Sequence, residues 1–291
     1  PTTPAMAGRG CQRGGAVKRI LLFGLLCTCA WAQEPVALVN ATLHPGGGQP
    51  PMHANLLLQG ECISGLAQEI PAGARVVNLL GQHLYPGLVE SDSWLGLTEI
   101  DSVRGGNDVS EVSENNADLR PELSLNPDSE LLPVARSGGV LTAALQPNGG
   151  RICGQVSLMS LWGWTPEDMR LAPSPGVVVN WPNWERQEDE KARKQWKQRL
   201  AELEDWLEEA RAYARLPEAQ RPVRPELQAL SQVFADRKLF IHADTRFQIE
   251  SALEFCRRLG IRWVLVGGAE ATSLIPQLLA EKVDVIYTCV Y

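Results

Sequence analysis

Leu84-Tyr85-Pro86-Gly87-Leu88-Val89-Glu90-Ser91-Asp92-Ser93-Trp94-Leu95-Gly96-Leu97 is the stretch on which the fold turns. Apolar, β-forming residues broken by a Pro-Gly pair run into small and acidic ones. That predicts a strand over residues 84–89, with Asp92 and Trp94 just past its end. On the N-terminal side the chain reads as short strands; on the C-terminal side strands and helices alternate. Alternation of that kind builds an α/β fold on a parallel sheet. A carboxylate just past the first strand would then lie where α/β barrels keep their chemistry.

Upstream, residues 36–43, 55–59 and 75–79 read as strands. Pro45-Gly46-Gly47-Gly48, Gly60-Glu61 and Pro71-Ala72-Gly73 punctuate them as turns. They predict a small, β-sandwich-like domain over residues 33–83. Residues 1–32 read as a secretory signal. Arg9, Arg13, Lys18 and Arg19 make the basic region, residues 20–30 the apolar one, and Ala30-Trp31-Ala32 the cleavage pattern. Cleavage after Ala32 predicts a secreted or periplasmic protein. The apolar run is shorter than the roughly 20 residues a membrane span needs, so no integral membrane segment is expected after cleavage.

The four basic residues of that segment, taken from a total of 27, leave 23 against 34 acidic ones. An acidic chain excludes nucleic acid and anionic lipid as main partners. Cys62, Cys153, Cys256 and Cys289 follow the signal without a Cys-x-x-Cys pair, and read equally as disulfide partners or buried thiols.

Downstream, residues 98–129 are polar and acidic, which suits a long loop or a lid over a site. Residues 130–135 form a helical turn stopped by Gly138-Gly139, and strands are expected over 140–145, 155–161 and 177–180. Thr165 and Pro166 read as N-cap and first helical position. Trp196, Leu200, Leu203, Leu207, Ala210 and Ala214, spaced alternately by four and three, predict an amphipathic helix over about 185–215. Two βα units follow: strand 239–243, helix 245–259 stopped by Gly260, strand 262–266, helix 269–282 and strand 283–287. Seven strand candidates from residue 84 fall one short of the eight in a (β/α)8 barrel. The expected fold is therefore α/β: a TIM-like (β/α)8 barrel over residues 84–291, truncated at its C-terminus, beside the small β-domain.

Gly81-Gln82-His83-Leu84-Tyr85-Pro86-Gly87-Leu88-Val89-Glu90, Leu95-Gly96-Leu97-Thr98-Glu99-Ile100, Asn126-Pro127-Asp128-Ser129-Glu130, Gly163-Trp164-Thr165-Pro166-Glu167-Asp168-Met169 and Ile241-His242-Ala243-Asp244 together resemble the amidohydrolase superfamily, in particular its exported imidazolonepropionase-like members. The resemblance runs from residue 36 to the end. It implies a metal-assisted hydrolase of a C–N bond in a small substrate, on a distorted barrel. The family's first-strand His-x-His pair falls on Asp92 and Trp94, its fifth-strand histidine on His242, and its sixth-strand histidine near Gly267. The bridging lysine of some members has no counterpart between Lys18 and Lys191.

Four histidines occur, and His44, His53 and His83 precede the expected barrel. That leaves His242 with carboxylates from Asp92, Glu90, Asp244 and Glu270. The expected site has Asp92 and His242 holding a metal or water, and Asp244 orienting His242. The ion would be Mn²⁺, Mg²⁺ or Zn²⁺. For His242 the other reading is a hydrogen-bonded core histidine, for Asp92 loop ordering, and for Trp94 packing. The alternative at the level of the whole protein is a metal-free relative that binds a ligand or serves as partner subunit of an active paralogue; the partners expected are a small-molecule substrate and a second copy or a paralogous subunit.

Overall fold

The structure is a computed structural model of the 291-residue chain and describes residues 34–67, 69–99, 106–183 and 190–288. The expected signal segment, Cys289 and the start of the 185–215 helix lie outside those residues. The chain divides between Tyr85 and Pro86 into two compact units.

In the first unit the strands are β1 (Val36–Val39), β2 (Thr42–Leu43), β3 (Met52–His53), β4 (Asn55–Gln59), β5 (Cys62–Ala67), β6 (Arg75–Asn78) and β7 (His83–Leu84). They form a four-stranded sheet, β5-β4-β1-β6, and a three-stranded one, β3-β2-β7. The single strand expected over 36–43 is broken at Asn40, whose φ of 57° lies in the left-handed region. Asparagine tolerates that region better than most residues. The break is fixed by Gly81 N–H donating to the Asn40 carbonyl at 2.7 Å, so β1 and β2 enter different sheets. Strand β5 carries no alternation of apolar and polar residues and is mostly exposed. It is an edge strand held by its ladder to β4, which is why hydropathy does not announce it.

The second unit runs β8 (Leu88–Ser93), α1 (Leu131–Ser137), β9 (Val140–Leu145), β10 (Ile152–Gln155), β11 (Ser157–Ser160), α2 (Pro166–Met169), β12 (Gly176–Asn180), α3 (Glu190–Arg215), α4 (Pro225–Ser231), β13 (Lys238–Ala243), α5 (Arg246–Leu259), β14 (Trp263–Gly267), α6 (Ile275–Ala280) and β15 (Asp284–Tyr287). One sheet has the order β10-β12-β13-β14-β15 and the other β11-β9-β8. Strands β12 to β15 are parallel, as are β8 and β9, while β10 and β11 run antiparallel to their neighbours. This is a mixed α/β architecture. Its largest core joins Val177, Leu239, Ile241 and Leu265 of the sheet to Leu203, Leu207 and Ala210 of α3 and to Ile249 and Ala252 of α5. Both faces of β13 and β14 are covered, which gives them nearly continuous apolar sequence.

Three expectations change here. The first strand of this unit is residues 88–93, not 84–89, and carries Asp92 inside it. Proline has no N–H to give a ladder, and a side chain at Gly87 would come within 2.5 Å of Leu141. The pair therefore precedes the strand. The strand expected over 155–161 splits at Val156, whose N–H donates to the Gly176 carbonyl at 2.9 Å, so β10 and β11 join different sheets. The helix expected over 269–282 starts as a 3-10 turn at Ala271–Leu274 and becomes α-helical at Ile275, where Pro276 suits a first-turn position.

Helix α5 starts on a capping box. The Thr245 hydroxyl accepts the Gln248 N–H at 3.3 Å, and Gln248 Oε1 accepts the Thr245 N–H at 3.1 Å. It stops at Gly260, with φ of 65°. Thr245→Ala removes half the box and is expected to cost about 1 kcal/mol. Urea unfolding should record the loss as a lower midpoint with an unchanged slope.

Candidate functional site

The C-terminal ends of β8, β9, β12 and β13 bring Asp92, Gln146, Asn180 and His242 to one region of the second unit. Asn180 is the last residue of β12, and in register its neighbour on β13 is His242. Gln146 follows directly on β9 and is 1% exposed. It is the hub. Its Nε2 donates to the Ser91 carbonyl at 2.8 Å and its N–H to the Ser93 carbonyl at 3.2 Å. Its own carbonyl accepts the Trp94 indole N–H at 2.9 Å. With Nε2 committed to Ser91, Oε1 is the atom facing His242 Nε2 at 3.3 Å. An amide oxygen only accepts, so this network assigns the proton to His242 Nε2 and leaves the lone pair on Nδ1.

Burial governs the electrostatics. It raises the Asp92 carboxyl above its ordinary 3.8, with the neighbouring Glu90 adding to the rise and His242 opposing it. Burial lowers the His242 imidazole below its ordinary 6.5, against the opposing fields of Asp92 and Asp244. Each group is thus pushed towards its neutral form. A carboxyl and an imidazole perturbed toward each other at strand ends are a common mark of a functional site. A cavity of about 570 Å³ lies against Asp92, with Trp94, Leu95 and Leu131 in its wall.

The sign of the Asp92 shift gives a prediction. A carboxyl that holds its proton more tightly folded than unfolded contributes stability in full below about pH 3.8, and loses it as pH rises through the raised folded value. Asp92→Asn cannot ionise. The variant is expected to be more stable than the parent at pH 7, with the gap closing by pH 4. His242, depressed in the folded state, acts the other way: its contribution is present above pH 6.5 and fades as pH falls through the folded value, which lies lower still in the variant because the opposing Asp92 charge is gone. Thermal melts at both pH values check this, and a gap that does not vary with pH would contradict it.

The other expected site residues are placed as follows. Asp244 shares the face of His242 two residues along, and its Oδ1 accepts the Ala269 N–H at 3.5 Å. It acts on His242 through its field. Glu270 is drawn away from the site to accept the Arg246 N–H at 2.7 Å, at the start of α5. Glu90 is exposed and accepts the Asp92 N–H at 3.3 Å. Trp94 is 45% exposed, so it is neither core nor free surface. Gln146 and Asn180 were not singled out from sequence. The available signal was their position, each the first polar residue after an apolar run, as in Ala143-Ala144-Leu145-Gln146 and Val177-Val178-Val179-Asn180.

The donor set does not fit a resident catalytic zinc. Such a site takes three protein ligands, and among the described residues no three His, Cys, Asp or Glu side chains converge on a metal position. The Trp94 indole is a donor only, and His242 Nε2 carries its proton toward Gln146. The buried thiols of Cys153 and Cys256 offer no substitute: burial pushes Cys153 up to about 12 and raises Cys256 as well.

The fold is shared with a crystal structure of an amidohydrolase from Thermotoga maritima MSB8, at a TM-score of 0.76 and 19% identity, covering 88% of this chain and 70% of that one. Weaker likenesses reach an N-acyl-D-glutamate deacylase from Bordetella bronchiseptica, solved with zinc and a phosphonate inhibitor (TM-score 0.38, 12% identity, 87% of this chain and 57% of that one), and a dihydroorotase (TM-score 0.28, 13% identity, 81% and 52%). No family model matches the sequence, and no curated protein does.

Proposed function

We propose that this chain is an amidohydrolase-like protein, exported and built on a (β/α) barrel, whose strand-end site binds a small molecule with a cyclic amide or similar C–N bond. The fold shared with the Thermotoga amidohydrolase supports the barrel, and the sequence likeness to imidazolonepropionase-like proteins supports the substrate class. Asp92 and His242 are the polar contacts, and Gln146, with both side-chain polar atoms engaged, holds His242 in place. The observation that carries the reading is the pairing of Asp92 and His242, oppositely perturbed, around the buried Gln146 amide. The His242 Nδ1 lone pair accepts an amide N–H, and the Asp92 carboxyl donates to the amide carbonyl when it holds its proton.

In the family the C–N bond is broken by a water activated on metal. Among the described residues Asp92 and His242 Nδ1 are two donors where a catalytic zinc takes three. That shortfall favours a metal-free relative that binds ligand, alone or as a subunit beside a catalytically complete paralogue. The hydrolase reading stays testable on the same sample. Metal analysis of the purified protein, and amidase and dipeptidase assays with and without Mn²⁺, Mg²⁺ or Zn²⁺, are expected to give neither bound metal nor turnover. Calorimetry with hydantoin is expected to give saturable binding that His242→Leu abolishes. Stoichiometric metal with turnover would establish the hydrolase reading instead; no binding and no turnover would end both.

A further inference from the structure

A second polar cavity, of about 550 Å³, opens where β12 and β13 begin rather than where they end. Gly176 and Lys238 are the first residues of those strands, and Ser174 and Arg237, in the cavity wall, come just before them. His242 is four residues further along β13, about 13 Å at the usual rise. The volume is within the range of small-molecule sites.

The charges in this wall do not cancel. In a chain of net charge −7, Arg120, Arg170 and Arg237 face two carboxylates, Asp118 and Glu122. Glu122 is spoken for. Its side chain is 8% exposed, takes both Nε and Nη2 of Arg120 at 2.9 and 2.7 Å, and accepts the Ser157 hydroxyl on its other oxygen. Arg237 gives Nη1 to the neutral Gln155 Oε1 at 3.0 Å and pairs with no carboxylate among the described residues. The Arg170 guanidinium has no hydrogen-bond or ion-pair partner among the described residues. Two guanidinium groups without a carboxylate partner in the wall of one polar hollow favour an anion there. Arginine is also the side chain whose paired N–H groups match the oxygens of carboxylate and phosphate.

We propose that this cavity binds a small organic anion, its carboxylate or phosphate group held between Arg170 and Arg237. The Gln228 and Gln232 amides meet the polar body of the ligand, and Asp118 accepts from its hydroxyl or ammonium groups. The site is separate from the strand-end site, and its existence does not depend on what Asp92 and His242 do.

Calorimetry on the full chain tests it, with inorganic phosphate, glucose 6-phosphate, citrate and, as the uncharged control, glucose. At least one anion is expected to bind saturably with Kd below about 1 mM, and glucose is not. Binding by phosphate and glucose 6-phosphate alone identifies a phosphate site; binding by citrate alone identifies a carboxylate site. Arg170→Ala is expected to weaken binding at least tenfold with an unchanged melting temperature, since this exposed side chain holds nothing else in place. Arg170→Lys should recover part of it. The proposal is overturned if no anion saturates below about 1 mM, if glucose binds equally well, or if Arg170→Ala and Arg237→Ala leave affinity unchanged.

Discussion

Arg151→Met is expected to destabilise the second unit by about 3 kcal/mol and to loosen the long helix α3 first. Arg151 is 8% exposed. Its Nη1 donates to the Arg199 carbonyl at 2.9 Å and to Glu202 Oε2 at 2.7 Å; its Nη2 donates to Glu114 Oε2 at 3.3 Å. The guanidinium also lies 5.0 Å from the centre of the Trp206 ring. One side chain at the start of β10 thus ties together α3 and the loop before it. The ion pairs are the smaller part of its contribution, because Glu114 is 66% and Glu202 39% exposed and solvent screens both. The larger part is its bond to a helix carbonyl and its contact with Trp206. Methionine keeps the stem and loses the rest. Urea unfolding in low salt and in about 0.5 M NaCl separates the two contributions. Most of the difference should survive the salt, and hydrogen exchange should rise in α3 before it rises in β13 and β14. A difference that salt abolishes would reassign the effect to the surface pairs.

The second large effect is expected at Gly267, the last residue of β14. It has φ of 98°, and a Cβ added there would sit 2.4 Å from Asp244 Oδ1 and 3.2 Å from the Ala243 carbonyl oxygen. Gly260 also has a positive φ, 65°, but open space where its Cβ would go. The pair therefore contrasts strain in the left-handed well, without collision, with a more strained φ that also brings a collision. Gly260→Ala is expected to cost about 1 kcal/mol, from strain alone. Gly267→Ala adds the collision and is expected to cost roughly 3 kcal/mol. It also pushes the Asp244 carboxylate aside and so changes the field that favours protonation of His242. The His242 resonance should then titrate at a different pH in Gly267→Ala and be unmoved in Gly260→Ala. Equal costs for the two variants would show that Asp244 yields freely.

The elements most legible in the sequence were those whose burial is one-sided or complete. Helix α5 announces itself by Thr245, Gln248 and Gly260, all of which do what their chemistry suggests. Strands β12, β13 and β14 announce themselves by apolar runs covered on both faces. Strand β5 could not be found, because an exposed edge strand is specified by its partner's hydrogen bonds rather than by its own side chains. The 88–93 strand was displaced by four residues because a Pro-Gly pair reads as well inside a run as before it. Only the position of Leu141 decides against a side chain at residue 87.

The same division holds for the candidate site. Within residues 86–291 the sequence holds one histidine, His242, so these residues cannot form a cluster of imidazoles. Position at a strand's polar end singled out Asp92 and His242. Tertiary structure decided the rest. Residues 96 apart meet as His242 and Gln146, and a buried amide fixes which ring nitrogen carries the proton. Glu270, a plausible ligand by sequence, instead secures the start of α5. Spacing along the chain encodes local periodicity. Which carboxylate reaches which ring depends on how separate strands align, and that is set by packing over the whole core.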